Sequence, residues 1–396
     1  MRPVVRYGVM RPVVNYGYTL RKGGGATWSP AQLDAYLATL DRAFAFDFSK
    51  TDRHWQAPNG INLADDIGEN IGFASNSASW AGRDFSTQMA LQADLMSYAS
   101  PSVVDFAGSA GSWTAGTKTI ANGAIGTNPS YPRVLFAQSQ VNVPAGYYRY
   151  AITLGTPSPA NLGGIQATNG GSAATNTGQS PGTLYFPGDP AQRLSLSFDG
   201  TSLWSTTLAV VIKAIPGPPA VQATANFCPK RQVNGAKYDG SDDRSTTTYG
   251  LSGSGDLFAF DYADIPASLA ATQILFGAQD GSSNGAYVGV TTAGALRVKV
   301  GATVVDSTGI DLRGGRHKLG AFTVGSTVYL VADDVIVGSG TWTGSLPTTT
   351  WNLGSVNANG TPSAFFGGSL LCPVHGRDTI DLARAKQITS AIAAKG

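Results

Sequence analysis

Apolar and polar positions change texture several times along the 396 residues. Ser29-Pro30-Ala31-Gln32 has the form of a capping box with proline at the first helical position, and Leu33, Leu37, Leu40 and Phe44 then recur on one face. That spacing predicts an amphipathic helix of about four turns. Residues 46 to 95 hold no sustained period, only short strand-like pieces such as Ile71-Gly72-Phe73. From about 100 to 215, short apolar runs alternate with Gly, Asn, Pro and Ser clusters, which is the punctuation of a β-sandwich. Val134-Leu135-Phe136, Tyr147 to Leu154, Leu194 to Phe198 and Leu208 to Ile212 are its strand candidates, and Leu194-Ser195-Leu196-Ser197-Phe198 alternates as a strand with one buried face does. The Gly/Ser/Thr/Asn-rich stretch from Asn161 to Gly182 reads as a long exposed loop.

Pro216-Gly217-Pro218-Pro219 makes a stiff break, and a domain boundary is expected there. The β texture resumes in Ile274 to Phe276, Tyr287 to Val290, Leu296 to Val300, Lys318 to Thr323, Thr327 to Ala332 and Val335 to Val337. Leu382, Ala385, Ile388 and Ile392 close the chain with a short helical face. The expected architecture is mainly β: two β-sandwich domains at 99–216 and 220–396, preceded by an extended arm (1–25) and a helix with its upstream segment (26–98).

The arm carries a tandem repeat, in which Met1-Arg2-Pro3-Val4-Val5-Arg6-Tyr7-Gly8-Val9 is followed by Met10-Arg11-Pro12-Val13-Val14-Asn15-Tyr16-Gly17-Tyr18. Each copy sets a β-branched pair after proline and an aromatic before glycine, so each reads as a short extended segment ending in a turn. Five basic residues, Arg2, Arg6, Arg11, Arg21 and Lys22, precede the first acidic one, Asp34. A basic peptide too short to fold alone is a disordered tail, the sign of an alternative start at Met10, or a docking arm. In the docking reading Arg2, Val4, Tyr7, Arg11, Val13 and Tyr16 hold a larger assembly.

Charge narrows the function classes. Only 13% of residues are charged and the net charge is +2, too small a basic excess for binding that rests on phosphate neutralisation. No run approaches a membrane span or a secretory leader, so a chain that is soluble as made is expected, without membrane insertion. Two cysteines, Cys228 and Cys372, could form one bridge, but buried free thiols are the expectation for cytosolic synthesis. Three scattered histidines (His54, His317, His375) supply the common metal and acid–base constellations poorly, and nucleophile elbow, Walker and dinucleotide fingerprints are missing. Asp261 with Asp264 and Asp239 with Asp243 are nominal carboxylate pairs for polysaccharide cleavage, outside any recognisable catalytic motif. A non-enzymatic protein is the expectation.

His317-Lys318-Leu319-Gly320-Ala321-Phe322 followed by Thr327 through Gly338 resembles the paired strands of laminin-G-like, concanavalin A-like jelly rolls, with Asp333-Asp334 at the turn where such hairpins favour Asp-Gly. Phe365-Phe366-Gly367-Gly368-Ser369-Leu370 and the terminal helix resemble the closing strand and helix of that family. Gln222-Ala223-Thr224 through Asp243 is similar to the opening strand of the version in tailed-phage and prophage virion proteins, as Phe46-Asp47-Phe48-Ser49-Lys50 and Ile67 to Gly72 are to its upstream segment. Residues 100 to 215 sit where a second sandwich is often inserted. Gly146 to Tyr150 and Leu203 to Ile215 resemble strands of a carbohydrate-binding-module jelly roll, with Ala209 where Asp is expected.

The resemblance implies a homo-oligomeric fibre, spike or decoration subunit on the virion surface, made in the bacterial cytoplasm. It would join capsid or tail proteins through its arm and adhere to a bacterial surface polysaccharide. A purely structural subunit and a capsule depolymerase are the alternatives. Sugars are gripped by flat aromatic faces and by hydrogen-bonding polar groups, so the glycan-binding candidates are Trp113, Tyr131, Tyr148, Arg149, Tyr150 and Trp204, with Trp342 and Trp351 in the terminal sandwich. Tyr148 and Tyr150 share one strand face, Tyr147 and Arg149 the other. Asp239, Asp242 and Asp243 could hold Ca2+ through oxygen ligands, although their spacing lacks the full calcium loop and favours a solvated turn.

Overall fold

The computed structural model describes residues 27–56, 63–92, 215–217, 219–250, 255–280 and 284–396, together with the backbone of eight strands between 118 and 214. Strand Phe258–Asp264 shows why the main body is layered as it is. Its residues alternate large and small apolar side chains: Phe258 and Phe260 join one hydrophobic cluster, Ala259 and Ala263 another, and all four are buried. A strand apolar on both faces needs cover on both sides.

That strand lies inside a nine-stranded sheet. The order runs Lys230–Gln232, Gly235–Lys237, Ser369–Leu370, Phe258–Asp264, Arg316–Val324, Thr327–Ala332 and Val335–Thr341. Strand Val374–Gly376 also pairs with Phe258–Asp264 and carries Ala43–Ala45 on its other edge. A second sheet of eleven strands packs against the first. Its order is His54–Trp55, Phe73–Ala74, Ala220–Val221, Ser245–Gly250, Thr350–Leu353, Gln273–Asp280, Asn284–Val290, Leu296–Gly301 and Thr303–Asp306, with Val356–Ala358 and Thr361–Ser363 off that path. Leu319, Ala321 and Leu330 of the first sheet meet Leu275, Phe276, Val288 and Val298 of the second in the main core.

The other face of the nine-stranded sheet is covered by helices. In α1 (Pro30–Leu37) the Ser29 hydroxyl accepts the Gln32 N–H and the Gln32 side chain accepts the Ser29 N–H, so the expected capping box is present. A six-residue helix, α2 (Phe85–Ala90), follows further along, capped by Asp84. In α3 (Leu382–Ala393) Asp381 caps the start, and Ala385, Ile388, Ala391 and Ile392 lie buried together. Leu33 and Leu37 of α1 share that cluster with the α3 residues and with Phe258, Phe260, Phe322 and Val331 of the sheet. None of the described helices is long and apolar enough to cross a membrane.

The fold is mainly β, as the texture implies, but two local expectations need correction. The first helix makes two turns rather than four: it stops at Leu37, and Phe44 belongs to a strand in register with His375. Sheet pairing has overridden a coincidental helical spacing. The stretch from 161 to 182 is not one exposed loop; it holds the antiparallel strands Gly164–Asn169 and Ser172–Asn176, paired with one another. Small polar residues suppress the apolar signal there while remaining compatible with sheet pairing. The stretch before 98 also contributes strands to both sheets of the C-terminal sandwich.

Between 118 and 214 the eight strands form two four-stranded sheets, Arg133–Leu135, Leu194–Asp199, Gly164–Asn169, Ser172–Asn176 and Lys118–Ala121, Ser205–Ala214, Gly146–Leu154, Gly182–Phe186. In the main body the hairpin at Asp333-Asp334 puts both residues at positive φ, +47° and +69°. Bonds from the Lys318 N–H and ammonium to these carboxylates fix the turn without glycine.

Gly354 sits at φ +77°, and a Cβ there would lie 2.0 Å from the buried Tyr238 ring. Backbone strain and ring displacement act together, so Gly354→Ala should destabilise the protein by about 2–4 kcal/mol. Denaturant unfolding of the two proteins measures this.

Candidate functional site

Strands Phe73–Ala74 and Ala220–Val221 are directly paired, Ala74 with Ala220 and Phe73 with Val221, so the chain segments that flank the insert run side by side as an antiparallel stem, and residues 76–85 are tied to the main body through Asn76 with Ala45 and Phe85 with Asp52. Beside the stem Trp55, Phe73, Trp80, Phe85, Met89 and Ile215 form a separate hydrophobic cluster. Trp80 Nε1 donates to the Pro216 carbonyl (3.2 Å), fixing the returning chain. The insert touches α2 through two cations that are cross-strand neighbours, Arg149 and Lys213. The Arg149 guanidinium lies 5.0 Å from the Phe85 ring centroid, and Lys213 Nζ donates to the Met89 carbonyl at 3.0 Å. Burial holds Arg149 below its ordinary range. Lys213, at the last carbonyls of the short helix, meets its negative end, while Arg149 stacks on the aromatic ring at its start, and both contacts favour this mount.

Arg149 therefore packs on the mount. For Tyr148 and Tyr150 the structure gives strand register, opposite Ala214 and Ile212, respectively. Trp113, Tyr131 and Trp204 lie outside the described residues, as do Arg2, Val4, Tyr7, Arg11, Val13 and Tyr16 of the arm. Trp351 does not suit sugar stacking: it is 1% exposed, held among Phe44, Phe276 and His375. Trp342 packs half-buried against the core, its Nε1 donating to the Gly325 carbonyl at 2.9 Å.

Asp239, Asp242 and Asp243 do converge, with one oxygen from each within 4.8 Å of the others. Asp239 Oδ1 accepts the N–H groups of Ser241, Asp242 and Asp243, while Asp243 Oδ2 accepts the Asp239 N–H. Burial works against the Asp239 charge, but these donors outweigh it and hold its carboxyl low. Asp243 goes the other way, to about 7, through burial and the neighbouring Asp239 charge. The set could coordinate a cation, yet its oxygens already clasp the loop. A second set, Asp65, Asp66 and Glu69, meets the same distance criterion and lacked any motif in the sequence. Both cysteines are buried free thiols, and burial raises Cys228 to about 11.

The nominal acid pairs do not oppose one another across a cleft. Asp264 is clamped by Arg316 through two bonds of 2.7 and 2.5 Å. Asp261 is buried, accepting the Cys372 N–H at 2.8 Å, where the chain bulges through Pro373 between two short strands. Its other oxygen has no hydrogen-bond partner.

No family model and no curated protein matches the sequence. Among solved structures, the chain is similar to the Ruminococcus gnavus IT-sialidase CBM40 (15% identity, TM-score 0.32), over 39% of this chain and 96% of that one. The K499G mutant of NanB sialidase from Streptococcus pneumoniae aligns at 13% identity and TM-score 0.32, over 39% of this chain and 27% of that chain. Trypanosoma rangeli sialidase gives 13% identity and TM-score 0.36, over 45% and 30%. The chain thus spans under a third of the sialidases it matches. With sialidases among these neighbours, the expectation of a non-enzyme does not stand as a conclusion; at these scores the likeness also assigns no reaction.

Buried titratable groups set opposing pH responses. Burial lifts Asp261 from 3.8 to about 7, against the pull of the Cys372 N–H. Below pH 3.8 both folded and unfolded chains hold this proton; as pH rises toward 7 the unfolded chain ionises first, and stability falls. Burial depresses His54 and His375 to about 3, so stability is lost as pH falls from 6.5 toward 3. Asp261→Asn, which keeps the acceptor for Cys372, should stabilise the protein at pH 8 by on the order of 2 kcal/mol and leave it unchanged near pH 3. Thermal melts across that range provide the measurement.

Proposed function

We propose that the chain is a structural subunit of a phage or phage-derived particle, in which the C-terminal sandwich is a scaffold and the insert presents a carbohydrate-interacting face to a bacterial surface. The carrying observation is the mount: the segments that flank an entire two-sheet unit pair with one another at Ala74 and Ala220, and the unit is braced by Arg149 and Lys213 on α2. Support for a scaffold role comes from how its charges are used. Asp264, Asp306 and Asp311 clamp arginines, and Asp280 caps the Thr348 and Thr349 N–H groups. Side chains so engaged hold loops in place.

In this reading the arm with its repeated Arg-Pro-Val-Val unit joins capsid or tail proteins and sets the subunit on the outside of the particle. Several copies then engage glycans together, so weak single sites yield useful avidity, of about 10²-fold or more.

The reading is tested with the full chain and with a variant in which a short Gly-Ser linker replaces residues 93–214. Both are assayed for retention on host cells and a glycan array, and for reducing ends released from purified capsular polysaccharide. Retention by the full chain and its loss from the folded variant are expected. Equal retention by both, or none by either, would sink the carbohydrate role. Deleting residues 1–20 should abolish incorporation into particles, scored by particle composition after assembly; normal incorporation would remove the arm from the scheme.

A further inference from the structure

A buried cluster unrelated to the insert joins three distant parts of the chain. Lys395, just beyond α3, places Nζ 2.7 Å from Asp47 Oδ2 and 3.0 Å from Asp34 Oδ1. The side chains are 3% exposed for Lys395, 0% for Asp47 and 13% for Asp34. Phe46 and Phe48, on either side of Asp47, are themselves fully buried.

The two carboxylates are held differently. Asp47 Oδ1 accepts both the hydroxyl (2.5 Å) and the N–H (3.2 Å) of Ser49, and the Arg53 guanidinium lies 4.0 Å from Oδ2. The Ser49 donors face a carbonyl whose oxygen would gain charge under attack. Lys395 is the hydrogen-bond partner of the Asp34 carboxylate, leaving that group able to take a proton from Nζ. The resting state is ionic: burial opposes the charges of Asp47 and Lys395, but their mutual attraction outweighs it. One proton moved across the 3.0 Å contact to Asp34 leaves a neutral amine beside a fixed carboxyl carbon, in a place that excludes water.

We propose that Lys395 and Asp47 are joined by an intramolecular isopeptide bond, formed within the folded protein with Asp34 as the proton carrier. The Nζ lone pair attacks Asp47 Cγ, the N–C bond forms and the Cγ–Oδ2 bond breaks. The ammonium loses two of its three protons, and both leave with Oδ2 as water. Asp34 takes one from nitrogen, returns it to Oδ2 and ends unchanged. An ammonium and a carboxylate become an amide and a water, with no oxidant or other reactant required. Water exclusion favours condensation over its reversal, the Ser49 donors stabilise the charge that develops on Oδ1, and Arg53 stands beside Oδ2, the oxygen that leaves. The bond would close a loop across a sequence separation of 348, restricting the denatured chain as a long-loop cross-link does.

The test is intact mass spectrometry of the folded full-length protein, followed by trypsin digestion. The expected mass is lower than that of the sequence by one water. A branched peptide should join residues 43–50, released by cleavage after Arg42 and Lys50, to residues 387–396, with fragmentation placing the link at Asp47 and Lys395. Lys395→Arg keeps a cation but should show the full mass and melt at lower temperature. Asp34→Asn should accumulate the uncross-linked form. A full-mass wild type that stays so on prolonged incubation overturns the proposal, whatever the variants do. A link mapped to Asp34 overturns the choice of electrophile, and equal cross-linking in Asp34→Asn removes the proton carrier.

Discussion

The structure depends on covering both faces of one sheet. Strand Phe258–Asp264 is apolar on each side, so the nine-stranded sheet needs the eleven-stranded sheet over one face and α1 with α3 over the other. The two ends of the chain are drawn together by this requirement. Ala43–Ala45 pairs with Val374–Gly376, and the same ladder continues as Phe46 and Phe48 donate to the Pro373 and Leu371 carbonyls. The charged cluster of Asp34, Asp47 and Lys395 lies where that closure buries polar groups, and its opposite charges are the means by which they tolerate burial.

Much of the C-terminal sandwich was legible residue by residue. Thr327–Ala332 coincides with its expected bounds, and Leu382, Ala385, Ile388 and Ile392 do mark a helix. Before residue 98 the reading was poor for a physical reason: strands such as His54–Trp55 and Phe73–Ala74 are two residues long and contain no period to detect. They exist because distant partners pair with them. Gly164–Asn169 escaped notice because its residues are small and polar, and pairing rather than composition makes it a strand.

The candidate sites divide in the same way. Convergence of Asp239, Asp242 and Asp243 is local and could be read from spacing, whereas the use of their oxygens on backbone N–H groups could not. Trp351 was named among the glycan-binding candidates of the terminal sandwich; only the sheet packing places it against Phe276 and His375. Arg149 was anticipated as a ligand contact, but Phe85, whose ring it packs on, comes from a segment without readable periodicity. Lys395 meeting Asp34 and Asp47 has no sequence signature, since the contacts span separations of 361 and 348.

The stem at Ala74 and Ala220 also dictates how the molecule bears mechanical load. Traction on the insert loads the bonds of Phe85 to Asp52 and of Asn76 to Ala45 before it reaches the two antiparallel strands, whose hydrogen bonds it then peels in succession from one end. The Trp80 bond to Pro216 and the Lys213 bonds to the α2 carbonyls sit at the fork where peeling would begin. They act as a latch ahead of a zipper, confining any force-induced opening to the neck while the double-sheet body below keeps its register.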